Sequence, residues 1–86
     1  MNYENLDKFM NFLKENVKIV RVGVVFDALK HDKRFKEFVG VKKLRKSAIY
    51  NYSQRGIILG KGSLVVYDPD EVRRIADNFF KDSIRS

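Results

Sequence analysis

The stretch from residue 56 to residue 72 constrains the fold more than any other part of the sequence. Two short apolar runs, Ile57-Ile58-Leu59 and Leu64-Val65-Val66-Tyr67, flank the glycine-rich segment Gly60-Lys61-Gly62-Ser63. Two runs rich in β-branched residues across a short glycine-rich loop are typical of a β-hairpin. Asp68-Pro69-Asp70-Glu71 follows, with a carboxylate at the N-cap, proline at the first helical position and acids in the first turn. The sequence therefore predicts a hairpin followed directly by a helix, and capping accounts for these acids without metal or acid–base chemistry.

Apolar spacing predicts the elements that precede this stretch. Residues 2–16 place apolar side chains at helical intervals, which indicates an amphipathic helix. Residues 18–22 alternate charged and β-branched residues, as in a short strand or an extended lead-in. Residues 22–29 return to helical spacing, and residues 31–38 predict a helical turn that ends near Gly40.

A further helix is predicted over residues 46–55. Ile49 and Tyr52 would lie on its inner side, and Gly56 would end it, because glycine accepts the left-handed conformation common after a helix. The fold class that follows is α+β, mostly α, formed by residues 1–86 as a single domain.

The positive charge of the chain is concentrated in its middle. The net charge is +7, and residues 30–66 hold ten basic and two acidic residues, whereas the flanking segments are close to neutral. Residues 41–63 contain no acid at all. A stretch of one sign suggests a polyanionic partner, although a merely solvated basic face is the alternative.

Several classes of function lack the residues that they require. With no cysteine, the chain offers neither a disulfide nor a thiolate zinc site. The single histidine, His31, stands among charged residues, where solvation is the expected state. No apolar run approaches the ~18–20 residues of a membrane span, and no signal peptide is recognisable. Gly60-Lys61-Gly62 lacks the surroundings of a nucleotide-binding loop. We expect no enzyme, cofactor, metal or membrane contact, and a cytoplasmic location.

The order of motifs over residues 46–80 resembles the DNA-binding core of the MerR/excisionase superfamily, a layout that phage small-terminase N-terminal domains share. The matching pieces are Ser47-Ala48-Ile49-Tyr50-Asn51-Tyr52, Gly56-Ile57, Gly60-Lys61-Gly62 and Tyr67-Asp68-Pro69-Asp70-Glu71-Val72. The resemblance implies a winged helix-turn-helix with a two-stranded β-hairpin wing. The chain departs from the family in carrying some twenty residues ahead of the motif and no effector domain after it, so no small-molecule effector is expected. Residues 32–43 are also longer than the family's usual turn.

The resemblance also implies a site, in which residues 46–55 form the recognition helix. The expected DNA-facing residues are Lys42, Lys43, Arg45, Lys46, Ser47, Tyr50, Asn51, Gln54, Arg55, Lys61 and Ser63. The basic residues ahead of the helix would contact phosphates, and Lys61 would do so from the tip of the wing. Asn51 would pair with adenine, and Arg55 or Lys46 would address guanine.

The predicted function is sequence-specific binding of double-stranded DNA, as a small transcriptional regulator or an excisionase-like, viral or plasmid protein. The alternatives are a winged-helix adaptor between proteins, a small-terminase-like packaging domain, and a protein that binds RNA or single strands. A homodimer through the N- and C-terminal helices is a further expectation, with Phe12, Phe80 and Ile84 as its apolar contact.

Overall fold

The computed structural model describes residues 1–85, with side chains as far as Lys81, and has an α+β fold that is mostly helical. The described elements are α1 (Tyr3–Asn16), β1 (Val17–Arg21), α2 (Val22–Leu29), α3 (Lys33–Val39), α4 (Lys46–Tyr50), β2 (Ile57–Leu59), β3 (Leu64–Val66) and α5 (Pro69–Arg85). The predicted class is therefore confirmed, and each predicted helix and strand exists. The boundaries agree within about two residues except in α4.

Side-chain caps begin three of the helices. Asn2 Oδ1 accepts a hydrogen bond from the backbone N–H of Asn5 (3.0 Å) at the start of α1. Asp32 caps α3 in the same way, through the N–H of Phe35 (3.1 Å). At α5, Asp68 Oδ1 accepts from the N–H of Asp70 (2.8 Å), which confirms the predicted helix start. These bonds satisfy donors that a helix leaves unpaired at its first turn.

The predicted β-hairpin is wrong, because β1 lies between its two arms. The sheet order is β2-β1-β3, with β1 antiparallel to β2 and parallel to β3. Ile19 stands opposite Leu59 on one side and Val65 on the other. Strand propensity identified both arms, but a central strand from a distant part of the sequence replaced the local pairing.

The segment between β2 and β3 crosses the junction of α1 and β1. The N–H groups of Gly60, Lys61 and Gly62 donate to the carbonyls of Lys18 (3.0 Å), Lys14 (2.7 Å) and Val17 (3.0 Å). An added Cβ at Gly60 would lie 2.1 Å from the Val17 carbonyl oxygen, and one at Gly62 would lie 2.3 Å from the Asn16 carbonyl carbon. Only glycine allows this close approach of two backbone segments. The two glycines are therefore needed where the chain crosses α1 and β1, and not for the tip of a hairpin.

One apolar core joins the inner face of the sheet to the helices. Val17, Val20, Ile58 and Val66 point inward from the three strands and are buried. The helices contribute a cluster of phenylalanines centred on Phe9.

The predicted dimer contact through the terminal helices is not supported by this core. Phe80 is 6% exposed and stacks on Phe9 within the same chain (ring centroids 6.1 Å apart). Phe12 is half-buried against Phe79 (5.2 Å). The side chain of Ile84 lies outside the described residues. Phe80 is thus already used in folding.

Across the helices that the structure describes, none combines the length and the apolar character needed to cross a lipid bilayer.

Candidate nucleic-acid interface

α4 is shorter than the predicted helix and covers only Lys46–Tyr50. Residues 51–53 continue in tighter turns, since Tyr52 N–H donates to the Ile49 carbonyl (3.0 Å) and Ser53 N–H to the Tyr50 carbonyl (2.9 Å). The Ser53 hydroxyl donates to the same Tyr50 carbonyl (2.7 Å) and accepts from the Gly56 N–H (3.1 Å). A serine that bonds its own backbone competes with the helix, which explains the early end.

α4 is fixed to the body of the protein at two points. Ile49 is fully buried, and α4 packs against α2. Tyr52 is half-buried, and its hydroxyl donates a hydrogen bond to Asp7 of α1 while the Lys14 ammonium lies 5.8 Å from its ring centre. Burial, and after it the bond to Asp7, raise the pKa of Tyr52 above its usual value. The predicted inner position is confirmed for Ile49 and holds in part for Tyr52.

All of the residues predicted to face DNA are exposed. They are Lys42, Lys43, Arg45, Lys46, Ser47, Tyr50, Asn51, Gln54, Arg55, Lys61 and Ser63. Most of the predicted residues near α4 lie on one of its two flanks. Ser47 and Asn51, one turn apart, line a shallow groove with Lys43 and Arg45. On the other flank, Lys46 and Tyr50 line a second groove, and Arg21 of β1 joins them there.

The basic residues around α4 hold no acidic partner within the part of the chain whose side chains are described. The ion pairs there connect other basic residues to acids: Lys8 to Glu4, Lys30 to Asp27, Arg34 to Asp32 and Asp77, and Arg73 to Asp70. Asp27 lies at the margin of the second groove, where Lys30 partly neutralises it (3.3 Å). The side chains of Lys42, Lys43, Arg45, Lys46 and Arg55 therefore present uncompensated positive charge to solvent.

Arg55 adopts an unusual backbone conformation. Its φ is +56°, in the left-handed region, and Gly56 follows with φ +87°. For a residue with a Cβ, this conformation costs about 1–2 kcal/mol. The side chain of Arg55 is exposed and takes part in none of the described ion pairs, so its guanidinium is available for an external ligand.

Lys61 and Ser63 are not on a projecting wing. Three backbone hydrogen bonds hold residues 60–62 against the end of α1 and the start of β1. Arg21, beside α4, lies at the opposite end of β1, a separation of about 13 Å along a strand of five residues. Lys61 borders a separate depression with Asn11, Lys14 and Glu15. Six of the eleven predicted residues thus line the two grooves beside α4, and Lys42, Gln54 and Arg55 stand in the segments before and after it, whereas Lys61 and Ser63 are separate.

Sequence reasoning missed three residues of the surface around α4. Met1 and Tyr3 line the groove that contains Asn51, and Arg21 lines the groove that contains Tyr50. The backbone N–H of Asn2 donates to the Val39 carbonyl (2.8 Å), which holds the N-terminal segment there. Neither placement has a local signal in the sequence, because each depends on how α1 and β1 pack against distant elements. The alternation of basic and β-branched residues in β1 was the one hint for Arg21.

A metal site has no support in the described residues, which contain no group of three or more side chains of His, Asp or Glu placed to hold an ion. His31 is exposed, as expected.

No protein-family model matches the chain, and no solved structure matches it.

Proposed function

We propose that this protein binds double-stranded DNA in a sequence-specific way, with α4 presented to the major groove. The observation that carries the proposal is the uncompensated basic surface around α4. Five exposed basic side chains stand there and take part in none of the described ion pairs, although the Lys30–Asp27 pair borders the second groove. Cationic side chains that neutralise phosphates release counterions, and this supplies most of the non-specific affinity for DNA.

The polar side chains on α4 would supply the specificity. Ser47 and Asn51 are exposed on one flank of α4 with Lys43 and Arg45, and Tyr50 is exposed on the other flank with Lys46. Base edges in the major groove are read by such hydrogen-bonding groups, and an asparagine can pair bidentately with adenine. α4 has only five residues, so Ser47 near its start and Asn51 at its C-cap lie about one turn apart and can face the same part of the groove.

The arrangement of α2 packed against α4 supports a helix-turn-helix interpretation, with α2 as the supporting helix. The connection between α2 and α4 is longer than in a typical helix-turn-helix, because α3 is inserted there. A small transcriptional regulator or an excisionase-like protein fits this interpretation. The wing of the MerR/excisionase pattern is not part of the proposal, since β2 and β3 do not pair with each other.

Selection of a preferred site from a random duplex library, followed by fluorescence anisotropy, tests this function. We expect binding to a selected duplex at least tenfold tighter than to a matched single strand. Asn51→Ala should cost ~1–3 kcal/mol on the selected site and relax preference at one base position. Asn78→Ala, at an exposed asparagine of α5 that is not among the predicted DNA-facing residues, provides a matched amide control. Equal affinity for single strand and duplex, or no enrichment on selection, would contradict the proposal.

A further inference from the structure

The outer face of the sheet carries an apolar surface, which shares Arg21 at its margin with the proposed DNA site. The cross-strand row Leu59, Ile19 and Val65 runs over all three strands. Ile57 and Tyr67 extend the same face toward α2. Among the exposed large side chains of this set, the exposed fraction ranges from 39% for Ile57 to 80% for Tyr67.

This surface is more apolar than an ordinary exposed sheet face. An exposed face of a sheet usually alternates inward apolar residues with outward polar ones. Here β2 and β3 place aliphatic side chains on both faces: Ile58 and Val66 are buried inside, while Leu59 and Val65 point outward. The groove on this face is lined by Val24 of α2 and by strand residues, and Arg21 is its single charged member.

We propose that this face pairs with the same face of a second copy of the chain. Two aliphatic sheet faces can pack against each other at about 10 Å, the normal spacing of stacked sheets. In a dimer with a two-fold axis, the same patch of each copy contacts its counterpart on the other copy. Nucleic acid does not suit this surface, because aliphatic side chains offer no partner to phosphates or base edges.

The available area fits a weak dimer. The exposed parts of the outer-face side chains amount to roughly 400 Å² on one copy, within the range of the largest apolar patch on a typical monomer, which is often functional. Pairing two copies, with the atoms around each patch, would bury on the order of 1,000 Å², the lower limit of specific interfaces. We therefore expect a dissociation constant in the micromolar range and not an obligate dimer.

Sedimentation equilibrium over a wide concentration range tests the dimer. Wild-type protein should be monomeric at low micromolar concentration and dimeric near millimolar concentration. Leu59→Lys should raise the dissociation constant at least tenfold, since it places a charge in the centre of the contact. Asn78→Lys, which adds the same charge at an exposed residue of α5 outside the face, should leave it unchanged within twofold. Circular dichroism shows whether each variant is folded, and Val65→Lys provides a second substitution within the face.

The dependence on salt separates this dimer from DNA binding. The protein carries a net charge of +7, so two copies repel each other, and added salt should strengthen the dimer. Binding to DNA should weaken under the same change. A wild-type protein that stays monomeric at all concentrations and salts would overturn the dimer, as would equal effects of Leu59→Lys and Asn78→Lys. Neither result bears on the affinity of the monomer for DNA.

Discussion

The hydroxyl of Tyr52, just beyond the end of α4, donates a hydrogen bond to the carboxylate of Asp7 on α1. These two residues are 45 positions apart in sequence, and their contact joins the proposed recognition helix to the first helix of the fold. The Tyr52 ring also packs against the core. The orientation of α4 thus depends on α1 as well as on α2.

Substitutions at Tyr52 should separate the contribution of its ring to the free energy of unfolding from that of its hydroxyl. Tyr52→Phe keeps the ring and loses one hydrogen bond, so the free energy of unfolding should fall by about 1 kcal/mol. Tyr52→Ala should cost about 3 kcal/mol, because it truncates a half-buried aromatic side chain. Urea denaturation followed by circular dichroism measures both. Tyr50→Phe, at an exposed tyrosine, is the control and should leave stability unchanged. Equal stability of Tyr52→Ala and wild type would show that the ring is not part of the packing.

The two crossing glycines lead to a second prediction. Gly62→Ala should destabilise the protein by roughly 3 kcal/mol or more, because its Cβ would collide with the backbone of Asn16. Gly23→Ala in α2 should be tolerated or stabilising by up to ~1 kcal/mol, since its Cβ meets only the Lys46 ammonium at 3.7 Å. Thermal unfolding of the two variants checks this. Tolerance of alanine at residue 62 would favour the projecting hairpin that the sequence suggested.

Arg55 should show opposite effects on stability and on binding. Asparagine accepts the left-handed conformation more readily than arginine does, so Arg55→Asn should raise the free energy of unfolding by roughly 0.5 kcal/mol. The same change removes one cation from the proposed interface and should weaken duplex binding several-fold. Thermal melts and anisotropy on the same preparation measure the two effects. A variant that loses stability, or that binds duplex as well as wild type, would exclude this role for Arg55.

Stability in acid should depend on Asp32, the N-cap of α3, whose side chain is 11% exposed. Burial acts to raise the pKa of Asp32, but hydrogen bonds from Arg34 and from the Phe35 N–H outweigh it and hold the pKa below its usual value. A lowered folded-state pKa stabilises the protein above the unfolded-state value of about 3.9, and this contribution is lost as pH falls through the folded-state pKa.

Asp32→Asn measures the contribution of the negative charge alone, because asparagine can still cap the helix. The variant should be less stable than wild type at pH 7 by no more than about 1 kcal/mol, since Arg34 is solvent-exposed. The difference should vanish in strong acid. Urea denaturation between pH 7 and pH 2 measures it, and a difference that stays constant over this range would contradict the assignment.

The sequence predicted the elements of this fold better than their arrangement. Local signals such as the Asp68 cap, the apolar spacing of α1 and Gly40 at the end of α3 depend on neighbours in sequence, and these predictions were correct. The position of β1 between β2 and β3 depends on contacts between residues some 40 positions apart, and no periodicity reports them. The same reason explains why Tyr3 and Arg21 were missed beside α4, and why Lys61 was placed on a wing.

The central claim is that the surface around α4 contacts the DNA backbone, and a matched pair of charge reversals tests it most directly. Arg45→Glu alters this surface, and Arg74→Glu makes the same change of net charge on α5, at another exposed arginine. Anisotropy with a labelled duplex should be measured for both variants and wild type at several salt concentrations. If five basic side chains contact phosphates, the wild-type log–log slope should be about −4.5, and Arg45→Glu should reduce its magnitude by about 1. Arg45→Glu should also weaken binding more than tenfold, against less than threefold for Arg74→Glu. Equal losses from the two reversals, or wild-type binding that does not respond to salt, would contradict the account.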